Sequence, residues 1–111
     1  MKETYQSKLV KIVVFVPEAY ADNIRKAMGQ SGAGGIGSYT FCSFSTKGIG
    51  RFKPEEGASP ALGQVGTIES VQEERIEAVC ERGRLKEVIE AIKKVHPYEE
   101  IALDVYPLES L

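Results

Sequence analysis

Leu9-Val10-Lys11-Ile12-Val13-Val14-Phe15-Val16 is β-branched and nearly continuous in apolar character, the pattern of a central strand covered on both faces rather than of an edge strand with one wet side. The other elements follow outward from it. Pro17-Glu18 opens a helix that carries Tyr20, Ile24, Ala27 and Met28 on one stripe, and the glycines between residues 32 and 37 stop it. Tyr39–Thr46 alternates aromatic and small residues and predicts a second strand. Val71–Cys80 alternates again and predicts a third, with Ile76, Ala78 and Cys80 on one face. A second helix is expected from Gly83 to Val95, with Leu85, Val88, Ile89 and Ile92 inward, and Ile101–Tyr106 is the closing strand. The order β-α-β-β-α-β predicts an α+β, ferredoxin-like sandwich in which right-handed crossovers place both helices on one face of a four-stranded sheet.

That topology leaves the other sheet face without a layer. If Val10, Ile12, Val14 and Val16 meet the helices, then Leu9, Val13 and Phe15 point away from them. Each large side chain is worth about 2 kcal/mol when fully buried, so a bare face wastes much of a small domain's stability. Either the long connection folds back over it or other copies of the chain cover it; the second is the simpler cover and makes a homotrimer the expected assembly.

The 111 residues suffice for one domain with one core. A formal net charge of -2 offers no positive footprint for nucleic acid. The longest apolar run, Ile12–Val16, is far below membrane-spanning length, and Met1-Lys2-Glu3-Thr4 has no signal-peptide core. A cytoplasmic protein is the expectation. Cys42 and Cys80 lack CxxC spacing and suit free, packed thiols in a reducing compartment.

Two signals lose force on inspection. Gly32-Ala33-Gly34-Gly35-Ile36-Gly37 spells GxGxxG, but that motif works only between a strand and the amino terminus of a helix, and here it follows a helix and precedes a strand. The carboxylates Glu69, Glu73, Glu74 and Glu77 cluster along the third strand; Glu73 and Glu77 share a face with Arg75 and predict a solvated or intersubunit charge ladder.

Two segments remain as places for chemistry. His96-Pro97-Tyr98-Glu99-Glu100 holds the single histidine of the chain at the joint between the second helix and the last strand, where Pro97 forces His96 out of the helical region. The ring either caps helix carbonyls or serves, with Glu99 or Glu100, as part of a binding corner. The connection from Lys47 to Thr67 has five glycines and two prolines in 21 residues and carries Lys47, Arg51 and Lys53 ahead of Glu55 and Glu56. Connections of that length are commonly functional, and one that closes over the histidine corner would grip a ligand.

The motifs together carry a resemblance. Val16-Pro17-Glu18, Gly32-Ala33-Gly34, Ile36-Gly37-Ser38-Tyr39, Cys42-Ser43-Phe44-Ser45-Thr46, Gly48-Ile49-Gly50-Arg51-Phe52-Lys53-Pro54, Gly63-Gln64-Val65-Gly66 and His96-Pro97-Tyr98-Glu99-Glu100 resemble, in order and over residues 8 to 108, the domain inserted in bacterial proteins of the Nif-three-like family (YqfO type). The larger members are similar to two-metal hydrolases and are often named GTP cyclohydrolase type I-like, with ligands in a flanking domain. What the resemblance implies here is a free-standing version of the insert, without that ligand set. The insert is similar in fold to CutA and to the PII signalling proteins, both trimers of ferredoxin-like subunits. The segment His96–Glu99 also resembles the one that precedes the last strand in CutA, and residues 47–67 fill the slot of the long PII loop.

These readings converge on a non-catalytic, oligomeric binding or regulatory module that uses His96, Tyr98, Glu99, Glu100, Lys47, Arg51 and Lys53 to meet a small molecule, a metal or a protein, with no nucleic-acid or membrane partner. The alternative is a CutA-like metal protein in which His96 and Glu99 take copper or zinc, imidazole and carboxylate being suited to both. An enzyme in its own right is a third reading, for which no pair of nucleophile and base emerges from the sequence.

Overall fold

The structure, a computed structural model, describes residues 6–109; Met1–Thr4, read above for a leader, lies outside them. Strand β1 (Leu9–Pro17) leads through a 3-10 turn (Glu18–Tyr20) into helix α1 (Ala21–Ser31); strands β2 (Phe44–Phe52) and β3 (Glu69–Glu81) follow, then a second 3-10 turn (Arg82–Arg84), helix α2 (Leu85–Val95) and strand β4 (Leu103–Pro107). The four strands form one antiparallel sheet in the order β2-β3-β1-β4, the ferredoxin-like arrangement. The even positions of β1 (Val10, Ile12, Val14, Val16) pack with Ile76, Ala78 and Cys80 of β3 against Ile24 and Met28 of α1 and Val88 and Ile92 of α2. That layer is the core, and it holds the thiol of Cys80.

Both helices end for the reasons their sequences supply. Gly32 sits at φ 112°, where a Cβ is disfavoured, and Ala33 N–H bonds Met28 C=O at 2.9 Å to close α1. At the other end of the domain Pro97 keeps His96 extended (φ -78°, ψ 134°), so α2 stops at Val95.

Several expectations shift. Tyr20 is exposed and lies outside the buried stripe of α1, which is Ala21, Ile24 and Met28. The second strand starts at Phe44 and runs to Phe52, not over Tyr39–Thr46. Phe41 adopts φ 60° and Cys42 N–H bonds Gly34 C=O at 2.9 Å, so residues 39–42 belong to a loop folded back on the glycines. Lys47 and Arg51 therefore stand on a strand, and the connection shortens to residues 53–68. Strand β4 begins at Leu103, two residues later than expected.

The sheet face away from the helices is less bare than alternation alone implies. Leu9 is 42% exposed, but Val13 is fully buried. Lys11 Nζ reaches Glu77 Oε1 at 3.3 Å, and Arg75 Nε reaches Glu77 Oε2 at 3.4 Å, from register positions flanking Val13 and Phe15. The alkyl stems of such long side chains cover apolar surface while their heads stay wet. Glu73, expected in a solvated or intersubunit ladder, is only 8% exposed within the chain itself, which sets aside the solvated alternative.

Candidate functional site: a cavity at the end of the central strand

The pairing of β4 with β1 ends at Val14 and Leu103, and one further bond, Phe15 N–H to Ala102 C=O at 3.1 Å, follows it. Phe15 C=O is then left without a strand partner. His96 fills the place: its Nε2 lies 2.8 Å from Phe15 O, while Tyr98 N–H approaches Nδ1 at 3.2 Å. A ring that accepts at Nδ1 and donates at Nε2 is the neutral Nε2–H tautomer. Burial lowers its pKa, against the opposing pull of the Phe15 carbonyl and the charge of Glu73. The imidazole thus extends the ladder as a piece of backbone would, capping a strand carbonyl rather than helix carbonyls.

With His96 fixed, the next residues form the wall of a cavity. Tyr98 leans on His96 (centroids 5.3 Å apart) and meets Phe52, the last residue of β2, edge to face at 5.6 Å. Its hydroxyl donates to Glu73 Oε2 at 3.3 Å. Burial, the nearby charge of Glu73 and that hydrogen bond push the phenol up to about 12. The residues of the connection 53–68 fold over this corner, held where Ser59 N–H donates to Glu99 Oε1 at 2.8 Å. Between them lies a cavity of about 550 Å³ whose walls include Phe15, Phe52, Pro54, Leu62 and Tyr98, with Glu73 among the charged groups that interrupt a mostly apolar surface. A concave, mostly apolar surface of that size with polar groups placed in it is the ordinary form of a small-molecule site.

The expected site residues divide accordingly. Tyr98, Glu99, Glu100, Arg51 and Lys53 all line the cavity, Lys53 with its ammonium 3.6 Å from Glu55. His96 supports the wall from behind. Lys47 does not join them: it reaches Glu18 at 3.6 Å near the start of α1. Glu73, Gly50, Phe15 and Phe52 were not expected here. Gly50 is the readable clue among them, since a Cβ at that position would fall on the carboxylate of Glu73; a glycine inside a strand often marks such a close approach.

The pair expected to take copper or zinc does not fit a metal ion as folded. Both ring nitrogens of His96 are engaged, and Glu99 is turned to the backbone of Ser59. Among the described residues no three His, Cys, Asp or Glu side chains gather into a set that could hold an ion.

Comparison with known proteins bears on the same segments. No family model matches the chain. The GTP cyclohydrolase 1 type 2 homolog of Bacillus subtilis is 50% identical over 106 residues, 96% of this chain and 28% of that protein. The crystal structure of a Bacillus cereus protein related to NIF3 superposes with a TM-score of 0.82 at 45% identity, over 98% of this chain and 28% of that one. The chain matches one part of NIF3-related proteins. It spans only about 28% of the length of these relatives. Beyond the NIF3-related proteins, CutA1 of Shewanella sp. SIB1 gives a TM-score of 0.71 at 15% identity, covering 96% and 86% of the two chains. A Bacillus subtilis GlnK–ATP complex gives 0.57 at 14%, covering 92% and 83%. At those identities the likeness is one of fold alone, and it is the CutA and PII fold expected from the motifs. Among the described residues no helix is long and apolar enough to cross a membrane.

Proposed function

We propose that the chain is a non-catalytic module of the NIF3 type that binds a small molecule in the cavity at the end of β1 and works as an oligomer. The observation that carries the reading is the cavity itself, with a buried carboxylate in an apolar wall and a connecting segment clipped across it. Two features favour binding over catalysis. His96, the group whose ordinary pKa suits proton transfer near neutrality, has both nitrogens committed to the fold. Tyr98, which lines the cavity and donates to Glu73, has its pKa pushed up to about 12 and so holds its proton.

The name of the relatives supplies the activity to test. The purified chain incubated with GTP, with and without Mg²⁺, Mn²⁺ or Zn²⁺, is expected to return GTP unchanged on ion-exchange chromatography. Ring-opened or hydrolysed product that persists through repurification and is lost in Glu73→Gln overturns the non-catalytic reading.

A further inference from the structure

We infer that the cavity selects an organic cation, an ammonium or guanidinium group on an apolar body, with Glu73 as its counter-ion. The inference rests on the cavity being a binding site, as proposed above, and specifies what it takes.

Glu73 enters from β3 with 8% of its surface exposed. Among the described residues its single hydrogen-bond partner is the Tyr98 hydroxyl, on Oε2, and no Lys or Arg forms an ion pair with it. Its other oxygen, Oε1, lies against Gly50, a cavity-lining residue, in the place a Cβ would otherwise take. A carboxylate only 8% exposed, with one neutral donor and its other oxygen facing the cavity, leaves a place for an ionic partner, because a charge largely removed from water ordinarily has such a partner or several hydrogen bonds.

The walls suit the same guest. Phe52 and Tyr98 stand edge to face beside the carboxylate, and Phe15 closes the sheet side. Aromatic faces attract cations through the ring quadrupole, more strongly where water is excluded. This sheet face already holds one example, the Arg75 guanidinium 6.0 Å from the centroid of Phe15. The charges around the cavity agree in sign: Glu55, Glu73, Glu99 and Glu100 line it against Arg51 and Lys53, four acids to two bases, and Lys53 is paired with Glu55. An anionic guest would meet Glu73 at its end. A neutral apolar guest would bury the carboxylate further and leave it unpaired.

A shape-matched series tests this on the whole chain by isothermal calorimetry: phenethylammonium, phenethylguanidinium, 2-phenylethanol and 3-phenylpropionate. The two cations are expected to bind at least tenfold more tightly than the alcohol, with the carboxylate weakest. Glu73→Gln should remove that preference while leaving the weak alcohol binding in place. Gly50→Val, whose Cβ would fall on the carboxylate and push it from its place, should lower cation binding toward that of the alcohol. Equal binding of cation and alcohol, or a preference for the carboxylate, overturns the cation inference while the binding site stands. No binding of any member overturns the site as well. Light scattering on Glu73→Gln supplies the remaining arm: loss of self-association without a change in cation binding would assign Glu73 to a side chain of a second copy and overturn the proposal.

Discussion

The one histidine of the chain shows how a residue chosen by its chemistry can be used for its geometry. The imidazole of His96 is held neutral between Phe15 C=O and Tyr98 N–H, and burial is the leading cause that lowers its pKa below the ordinary 6.5. The folded protein therefore binds this proton less readily than the unfolded chain does. Stability contributed by the neutral ring is present above pH 6.5 and is lost as the pH falls toward and through the folded value. Urea unfolding followed from pH 8 to pH 5 should show stability that falls below pH 6.5 in the parent. His96→Gln keeps an N–H for Phe15 but offers no ring nitrogen to Tyr98 N–H; it is expected to cost about 1–3 kcal/mol at pH 7.5, the range for an unsatisfied buried group, and to lose the histidine part of the acid slope. Parallel pH profiles in the two proteins would show that the ring titrates as it does in the unfolded chain.

At the scale of elements, legibility followed apolar periodicity. Strands β1 and β3 and both helices could be read because burial demands a pattern: Val10, Ile12, Val14 and Val16 alternate, and Ile24 with Met28 and Val88 with Ile92 recur at helical spacing. Strand β2 is an edge strand, largely exposed and interrupted by Gly48 and Gly50, so it had no alternation to show. The aromatic residues Tyr39 and Phe41 supplied a false one, and φ 60° at Phe41 could not be inferred from a phenylalanine. The same blindness hid half of the cavity. His96–Glu100 announced itself by composition, whereas Glu73 looked like one of several surface acids because the glycine that makes room for it lies across the sheet. Its neighbour Glu74, also nearly buried, faces the helices and is held by Arg25 of α1 at 2.6 Å, with Ser45 Oγ of β2 at 3.0 Å from the same nitrogen. That cluster ties α1 to the edge of the sheet. Arg25→Ala strands a carboxylate that is 12% exposed and should destabilise the fold by about 2–4 kcal/mol, while Arg25→Ala with Glu74→Gln should recover at least half of the loss. Denaturant midpoints of the three proteins measure this, and a cost below about 0.5 kcal/mol for Arg25→Ala would place the pair with ordinary surface ion pairs.

At the scale of the whole molecule, the sheet face away from the helices is the surface on which the expected self-association is tested. Register places Phe44 and Val13 opposite Glu77 and places Tyr106 opposite Lys11, so Phe44, Tyr106 and Leu9 share that face; they are 67%, 46% and 42% exposed. Val13 is fully buried while the charges of Lys11, Arg75 and Glu77 bridge the middle of the face. Apolar residues around a paired ionic centre make a surface that is costly to leave wet and able to set register against a copy of itself. Closed cyclic symmetry is the ordinary solution for such a surface, and the homotrimer expected from the sequence is the assembly to test, with the sheet edges β2 and β4 left free to extend toward neighbours. Size exclusion coupled to light scattering, at micromolar protein, should return three times the mass of the chain. Phe44→Lys with Tyr106→Ser removes apolar area from two strands of this face without touching the helix-side core, so it should yield a folded monomer with an unchanged far-ultraviolet dichroism spectrum. A monomeric parent would mean that the charged bridge over Val13 is cover enough, and an unchanged trimer in the double variant would move the interface off this face to the free edges of the sheet.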